Sequence, residues 1–398
     1  MVSGMEKKAL IFIEDGSFSF DNRVIREANA LVENGWEVTV ISPKYANDPF
    51  CKVLSPRLRA LYYPKINAQS AAGHVLEHAM SLVFGSLLTL WAFVRYGFSV
   101  FHACNPMDIL WIVFLPYRLL GKKFIFDQHD LCPELYRSRD EKEGEDAFYK
   151  TLIFLEGMSY RHADAVIATN ESYREIAMTR GGKRAGDVFV VRNGPDLSKF
   201  RKLTPNRSYK EPGETLVGYL GNMNVQDGVD YLVKAASEIV LARGRKDIKF
   251  ILVGGGSYQP TLVEMARKMG LEANVHFTGR VPDDEMLSAL NACDMCVQPD
   301  PYNPLNNMST MNKVMEYMAL EKPVIAFDLK ETRVSGGEAV LYVPPNDIGK
   351  LADQIMHLAD QAELRVKMGA IGRARIETKL SWNYSVPHLL QAYEQVAK

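Results

Sequence analysis

The stretch from Asp300 to Asp328 (DPYNPLNNMSTMNKVMEYMALEKPVIAFD) collects residue types that can hold a phosphate. A loop of prolines and asparagines runs into Ser309, Thr310, Met311 and Asn312, then into a helical pattern carrying Lys313 and Glu316. A helix start offers unpaired N–H groups and the positive end of a dipole, which suits a diphosphate. Lys313, in the first turn, adds a full positive charge. Glu316 lies three residues on and shares its face. A carboxylate there suits the two hydroxyls of a ribose. The same spacing also fits a capped helix whose lysine and glutamate form only a surface pair.

A second candidate is Phe126-Asp127-Gln128-His129-Asp130, which follows a strand pattern. A histidine flanked by carboxylates at a strand end can hydrogen-bond a substrate or shuttle a proton. It can equally be a histidine satisfied by backbone beside a helix-capping Asp130. The loop from Glu14 to Asp21, with Gly16 in it, follows the first strand, where a substrate-facing loop belongs. Gly218 and Gly221 precede Asn222 at another strand end, and Gly254 opens a run of three glycines after a further strand. Glycine lets a backbone come close to a ligand. The dinucleotide spacing G-x-G-x-x-G is absent, as are a Walker-type phosphate loop and a nucleophile elbow. No two aspartates stand two apart, so a DxD metal clamp is missing. Cys293 and Cys296 form a lone CxxC without the partners a zinc site needs, and are read as buried and structural.

Strand patterns alternating with helices must position these residues. They run from Lys8–Glu14 through Asn22–Asn34 and Trp36–Ile41 to Val188–Val191, and restart at Leu216–Leu220. Between the two series, Leu203–Glu214 is polar with two prolines and reads as a linker. The expectation is an α/β protein of two doubly wound domains, residues 1–202 and 215–380, facing a central cleft. Helical patterns fill Asp347–Thr378 and Tyr384–Ala397.

Of 398 residues, 47% are hydrophobic and 24% charged, which excludes a disordered or fibrous chain. A net charge of −1 gives no global field for nucleic acid. Local charge is uneven: Val40–Ile125 holds nine basic residues against three acidic ones. Within it, Ala79–Val94 is uncharged yet shorter than the roughly twenty residues of a spanning helix. Basic and apolar surface together suit peripheral contact with anionic lipid, and a core helix with solvated neighbours fits as well. The N-terminal residues lack a signal peptide's apolar core, so a cytoplasmic location is expected, at the inner face of the membrane if lipid is touched.

Taken together these stretches resemble the family 4 retaining glycosyltransferases of the GT-B fold, and look closest to a bacterial WbuB-type branch. Asp21-Asn22-Arg23-Val24 with Arg26-Glu27-Ala28 is similar to that branch's first helix. Phe126–Arg139 is similar to its histidine loop, and Val191–Asp196 to the family's NGxD stretch. Phe277–Val281 and Ser309–Asp328 match most specifically. The resemblance implies two Rossmann-like domains, a nucleotide-sugar donor (most often UDP-linked) on the second, and a saccharide or lipid-linked acceptor on the first. It implies His129 facing the donor sugar, Gly16 the diphosphate, Arg280 the base and Glu316 the ribose. Lys313 joins His129 and Glu316 in the catalytic set. Asp21, Gly221, Asn222, Gly254, Ser309, Thr310, Met311 and Asn312 complete the substrate-binding set. It further implies retaining transfer in surface polysaccharide synthesis, with the leaving phosphate as base, no cofactor and no essential metal. The C-terminal helix, 383–398, is expected to pack back on the first domain.

The chain departs from the family at three places. Met308 stands where a first glutamate is usual, and Asn222 and Asp227 where an arginine and a lysine are usual. Lys313 is therefore expected to supply the cation for the leaving diphosphate. A GT-B nucleotide-sugar epimerase or phosphorylase, or a non-catalytic degenerate transferase, would share the architecture.

Overall fold

The computed structural model describes residues 6–45, 48–65, 71–106, 108–140 and 145–397. The chain divides into two compact units, Met1–Arg192 with Ser385–Lys398, and Asn193–Tyr384.

Among the described residues the first unit holds eight strands: β1 (Lys8–Ile13), β2 (Glu37–Pro43), β3 (Cys51–Ser55), β4 (Leu58–Tyr63), β5 (Val100–Cys104), β6 (Lys123–Gln128), β7 (Ala165–Ala168) and β8 (Val188–Val190). They lie in the order β3-β4-β2-β1-β5-β6-β7-β8. All neighbours are parallel except β3 and β4, which form an antiparallel edge pair. Central parallel strands are covered on both faces, so they read as unbroken apolar runs. In β1, Leu10, Ile11 and Phe12 are fully buried, with Ile11 in register with Val40 on one side and His102 on the other.

The second unit holds β9 (Thr215–Leu220), β10 (Ile248–Val253), β11 (Val275–Gly279), β12 (Met295–Gln298), β13 (Val324–Phe327) and β14 (Val340–Val343), ordered β11-β10-β9-β12-β13-β14 and all parallel. Counted from β9 this is the 3-2-1-4-5-6 Rossmann order. In both units the chain winds outward one way, returns, and winds out the other. The reversal lies between β1 and β5 in the first unit and between β9 and β12 in the second. Ligands of such sheets bind beyond the carboxyl ends at that reversal.

The boundary between units falls at Asn193, earlier than the linker expected at Leu203–Glu214. Residues 193–202, expected in the first domain, belong to the second because their apolar side chains are committed there. Phe200 is buried in that unit's core beside Leu216 and Leu287. The N–H of Leu203 also donates to the Asn291 side chain at 2.8 Å. The last helix, Trp382–Val396, belongs from Ser385 onward to the first unit, where Tyr393 packs edge-on against Trp36 at 4.9 Å.

Candidate functional site

In the first unit a buried ionic cluster forms where the helix Asn22–Glu33 meets β5 and β6. Asp21 caps that helix, its Oδ1 accepting from the N–H groups of Arg23 and Val24, both at 3.0 Å. The cap sets the first turn so that Arg23 and Glu27, four apart, face inward beside the apolar stripe of Val24, Ala28 and Leu31. Arg23 grips Asp127 with two N–H groups, at 2.8 and 3.3 Å, and donates a third bond to the Val191 carbonyl at 2.8 Å. Asp127 also meets His129 Nε2 at 2.7 Å and His102 Nε2 at 3.3 Å. His102 Nδ1 lies 2.7 Å from the Tyr393 hydroxyl.

One cation here serves two carboxylates. Burial would raise the Asp127 carboxyl, but Arg23, His129 and its hydrogen bonds hold it well below the usual range. Glu27 lies 3.1 Å from the same guanidinium, yet among the described residues neither of its oxygens has a hydrogen-bond partner. Burial pushes its carboxyl up to about 8 against the pull of Arg23, with Asp127 adding to the rise. Glu27 is therefore protonated at neutral pH and Asp127 ionised. Burial works against charge on His129, but the Asp127 carboxylate and its hydrogen bond raise the imidazole above its ordinary value.

A raised carboxyl binds its proton more tightly folded than unfolded. Its contribution is complete below the unfolded value of 4.5 and is lost as pH rises through about 8. Glu27→Gln keeps the neutral shape and removes this dependence. The variant is expected to match the parent below pH 4.5 and to exceed it in melting temperature by a margin that grows toward pH 8. Parallel pH–Tm curves for the two proteins would show that Glu27 is not the titrating group.

The loop bearing His129 is held from β5. Asn105 Oδ1 accepts from the N–H groups of His129 and Asp130 at 2.6 and 3.0 Å, and its amide donates to the Asp130 carbonyl at 2.7 Å. His129 thus presents its ring from a fixed turn at the end of β6. Gly16, after β1, stands exposed, with open space where a side chain would be. His102, Cys104 and Asp127 approach one another closely enough to share an ion. Asp127 is already bound by Arg23, and the Tyr393 hydroxyl occupies His102 Nδ1, which leaves Nε2 as the nitrogen facing Asp127.

In the second unit, the loops after β9, β10 and β11 stack at the carboxyl edge. Gly221 donates to the Val253 carbonyl and Gly254 to the Gly279 carbonyl, each at 3.0 Å. A Cβ on Gly254 would lie 1.9 Å from the Gly221 oxygen, and Gly254 has a φ of +128°, so glycine is required there. Arg280 follows β11 beside this stack, its Cγ 3.4 Å from where a Gly255 Cβ would sit.

Lys313 lies in the first turn of the helix Asn312–Ala319 and is nearly buried. Its ammonium meets both oxygens of Asp300, at 2.9 and 3.1 Å, just past the end of β12. The Tyr219 hydroxyl lies 3.4 Å away. Burial opposes the charge, but Asp300, Tyr219 and Asp227 hold the ammonium protonated, above its ordinary value. Asp227 accepts from the Asn224 N–H at 2.9 Å in a capping box, and burial raises its carboxyl against the pull of Lys313. The charge at this edge is thus one lysine between two aspartates. Lys313 is paired with Asp300, a partner that the sequence reading did not name.

Asn222 is exposed next to this group, its carbonyl accepting from Tyr219 at 2.5 Å. Ser309, Thr310 and Met311 form the short connection into the lysine helix, and the Ser309 hydroxyl donates to Leu305 at 2.8 Å. Glu316 is half-buried on the same helix, one residue before Tyr317, whose hydroxyl accepts from the Leu220 N–H at 2.7 Å. Lys313, Asp300 and the glycine loops are therefore brought together at the β9/β12 reversal. His129 belongs to the other unit.

Arg23 and Glu27 were named from sequence only within the first-helix resemblance, and His102 and Asp300 were given no role. For Arg23 and Glu27 a signal existed: they share the spacing of the helix's apolar stripe, so their charges had to be buried. For Asp300 none did.

Residues 21–199 match the family model described as Glycosyltransferase Family 4, and residues 214–361 match Glycosyl transferases group 1. Over 206 residues the chain is 30% identical to a GDP-mannose-dependent monoacylated alpha-(1-6)-phosphatidylinositol monomannoside mannosyltransferase of Corynebacterium glutamicum, covering 48% of this chain and 51% of that protein. The chain spans about half the length of the first curated relatives it matches. Among solved structures it is similar to sucrose-phosphate synthase of Thermosynechococcus elongatus, with a TM-score of 0.80, 21% identity and coverage of 98% and 99% of the two chains. It is also similar to Anabaena HepE in complex with UDP and glucose, with a TM-score of 0.72, 17% identity and coverage of 98% and 100%. At these identities the likeness speaks for the fold alone, and the fold is GT-B.

Proposed function

We infer that this chain is a glycosyltransferase of the family 4 type, which transfers a sugar from a nucleotide-sugar donor to a hydroxyl acceptor. The observation that carries the reading is that each unit matches its own glycosyltransferase family model. The donor proposed is UDP-linked, a hexose or N-acetylhexosamine. UDP accompanies HepE, while the mannosyltransferase relative is GDP-dependent, so GDP is the competing donor.

The second unit supplies the donor site. Glu316 takes the ribose hydroxyls, the loops at Gly221 and Gly254 admit the diphosphate, and Arg280 lies toward the base. Helix-start N–H groups near Asn312, with Lys313, stabilise charge on the leaving phosphate. In the first unit, His129 hydrogen-bonds the donor sugar, oriented by Asp127. Configuration is retained when the acceptor attacks from the leaving phosphate's own face, its proton passing to a phosphate oxygen. The protein then contributes position and charge rather than a nucleophile, and no metal is assigned a part. The acceptor proposed is a saccharide or lipid-linked glycan of bacterial surface polysaccharide, met at the cytoplasmic side of the membrane.

Thermal unfolding in the presence of UDP, GDP, ADP and their sugars tests this. A ligand at about 100 times its dissociation constant stabilises by roughly 2.7 kcal/mol, a shift of a few degrees for a chain of this size. A shift with UDP and its sugars alone is expected. A shift with GDP alone changes the donor, and no shift with any of them favours a non-catalytic scaffold. Conversion of free UDP-sugar to its epimer without an acceptor would replace the transferase reading.

A further inference from the structure

The helix Ala71–Tyr96 is built inside out. Its buried residues are mostly small or polar, with Glu77, Ser81, Thr89 and Ala92 at 7%, 2%, 0% and 1% exposed, and Leu88, at 7%, is a large apolar side chain among them. At Gly85 the backbone comes so close to Phe12 that a Cβ would lie 2.3 Å from the ring. Its outward row is large and apolar: Leu76, Val83, Leu87, Leu90 and Val94 are each 52% to 79% exposed. Spacings of seven, four, three and four residues place these five on one stripe. A helix dissolved in water carries the opposite pattern. Beside the stripe, Val53 and Leu54 of edge strand β3 and Phe50 are also exposed, with Phe50 edge-on to Trp91 at 5.7 Å.

The rim is cationic. Arg59 and Arg95 lie over the Tyr96 ring at 4.2 and 5.4 Å, and Lys122 lies over Phe93 at 5.5 Å. A second copy of the chain docking by the same face would bring this rim against itself. Anionic lipid satisfies both features, because headgroups meet the cations while the stripe enters the acyl layer.

Behind the stripe a groove of about 280 Å³ is lined by Phe50, Tyr62, Tyr63, Phe84, Leu88 and Trp91. Its wall leads to the loop after β1. The Tyr62 hydroxyl meets Ser19 at 3.1 Å, and Lys65, next to the lining Pro64, donates to the Asp15 carbonyl at 2.6 Å. In the same loop region Glu14, which is buried, pairs with His78 of the inside-out helix at 3.0 Å.

We propose that the first unit docks on an anionic lipid bilayer through this stripe, and that the groove takes one hydrocarbon chain of a lipid whose headgroup meets the loop Glu14–Asp21. That the headgroup carries the acceptor hydroxyl rests on the glycosyltransferase reading; the docking does not.

The test is flotation of the full chain with phosphatidylcholine vesicles, with and without phosphatidylglycerol. Binding to the phosphatidylglycerol vesicles is expected, weakened by added salt, with a blue shift in emission that Trp91→Phe removes. Leu87→Glu and Val94→Glu, both at exposed positions, are expected to weaken binding by about tenfold or more at unchanged melting temperature. Val366→Glu, equally exposed on the second unit, is expected to leave it intact. No vesicle binding, or binding indifferent to Leu87→Glu, overturns the proposal. So does a concentration-dependent dimer that Leu87→Glu disperses, since a second copy then covers the stripe. Nucleotide-induced thermal shifts without vesicle binding would leave the enzyme reading standing and the docking refuted, and the reverse result would do the opposite.

Discussion

Replacing Lys313 with alanine is expected to lower turnover about a hundredfold while leaving nucleoside binding nearly unchanged. The size follows from the loss of one fixed positive donor at a leaving phosphate, worth about a hundredfold or more where such donors have been removed. The nucleoside is spared because Glu316 and Arg280 are left untouched. Stability falls as well. Asp300 is nearly buried, and without the ammonium its carboxylate keeps one side-chain donor, the Gln298 amide at 2.8 Å. Breaking a buried pair from one side costs about 3–5 kcal/mol. Loss of fold and loss of charge therefore need separating, and Asp300→Asn does this. It keeps the shape and releases Lys313 from its counter-charge. If Lys313 serves the diphosphate, Asp300→Asn binds UDP more tightly than the parent does. If Lys313 exists only to neutralise Asp300, UDP affinity is unchanged and the alanine variant loses stability alone. Calorimetric titration of both variants with UDP and with uridine decides between these outcomes, since uridine lacks the charge Lys313 would meet.

The pairing of Lys313 also marks where sequence reading stopped. The lysine and its helix were legible because helix starts are written locally, in residue types over a few positions, whereas the stretch before them, expected as a loop, holds a short helix at Pro304–Met308. Asp300 was not legible, because its closeness to Lys313 depends on where β12 ends relative to a helix beginning fourteen residues later. The strands legible in sequence, such as KALIFI and IKFILV, are buried on both faces and so appear as unbroken apolar runs. The β3–β4 hairpin was missed for the complementary reason. Lys52, Val53 and Leu54 are all exposed, so β3 shows neither a run nor an alternation. The stretch Asp347–Thr378, expected to be helical, holds two helices, Ile348–Asp360 and Ala362–Arg375, that meet at Gln361, where no glycine or proline announces a break. The meeting of His102 with Tyr393 spans 291 residues of chain, and no local pattern encodes it.

Removing the carboxylate at Asp127 is expected to cost the first unit more than any other single change in its ionic cluster. Asp127→Ala strips the buried Arg23 of its fork and takes the acceptor from both His129 and His102. An uncompensated buried charge costs about 3–5 kcal/mol, which for a unit of this size lowers Tm by roughly 10 °C. Glu27 moderates the loss. Asp127 is among the groups holding the Glu27 carboxyl up at about 8, and Arg23, with a smaller pull from His129, draws it down. With Asp127 gone, Glu27 ionises and takes over the guanidinium 3.1 Å away. Two consequences follow from that exchange. The decline in stability from pH 4.5 toward 8 that Glu27 gives the parent flattens in Asp127→Ala. The double variant Asp127→Ala with Glu27→Gln, which removes both carboxylates that pair with Arg23 at 2.8 and 3.1 Å, loses more than the two single variants added together. A double-mutant cycle of urea unfolding at neutral pH measures the coupling, and simple additivity would mean that Glu27 does not stand in. Activity separates the roles further. Asp127→Asn keeps an oxygen for His129 and is expected to recover much of the fold. Without the negative charge the imidazole returns toward its ordinary pKa, so the pH profile of turnover shifts to lower pH, an effect that a purely structural role for Asp127 would not produce.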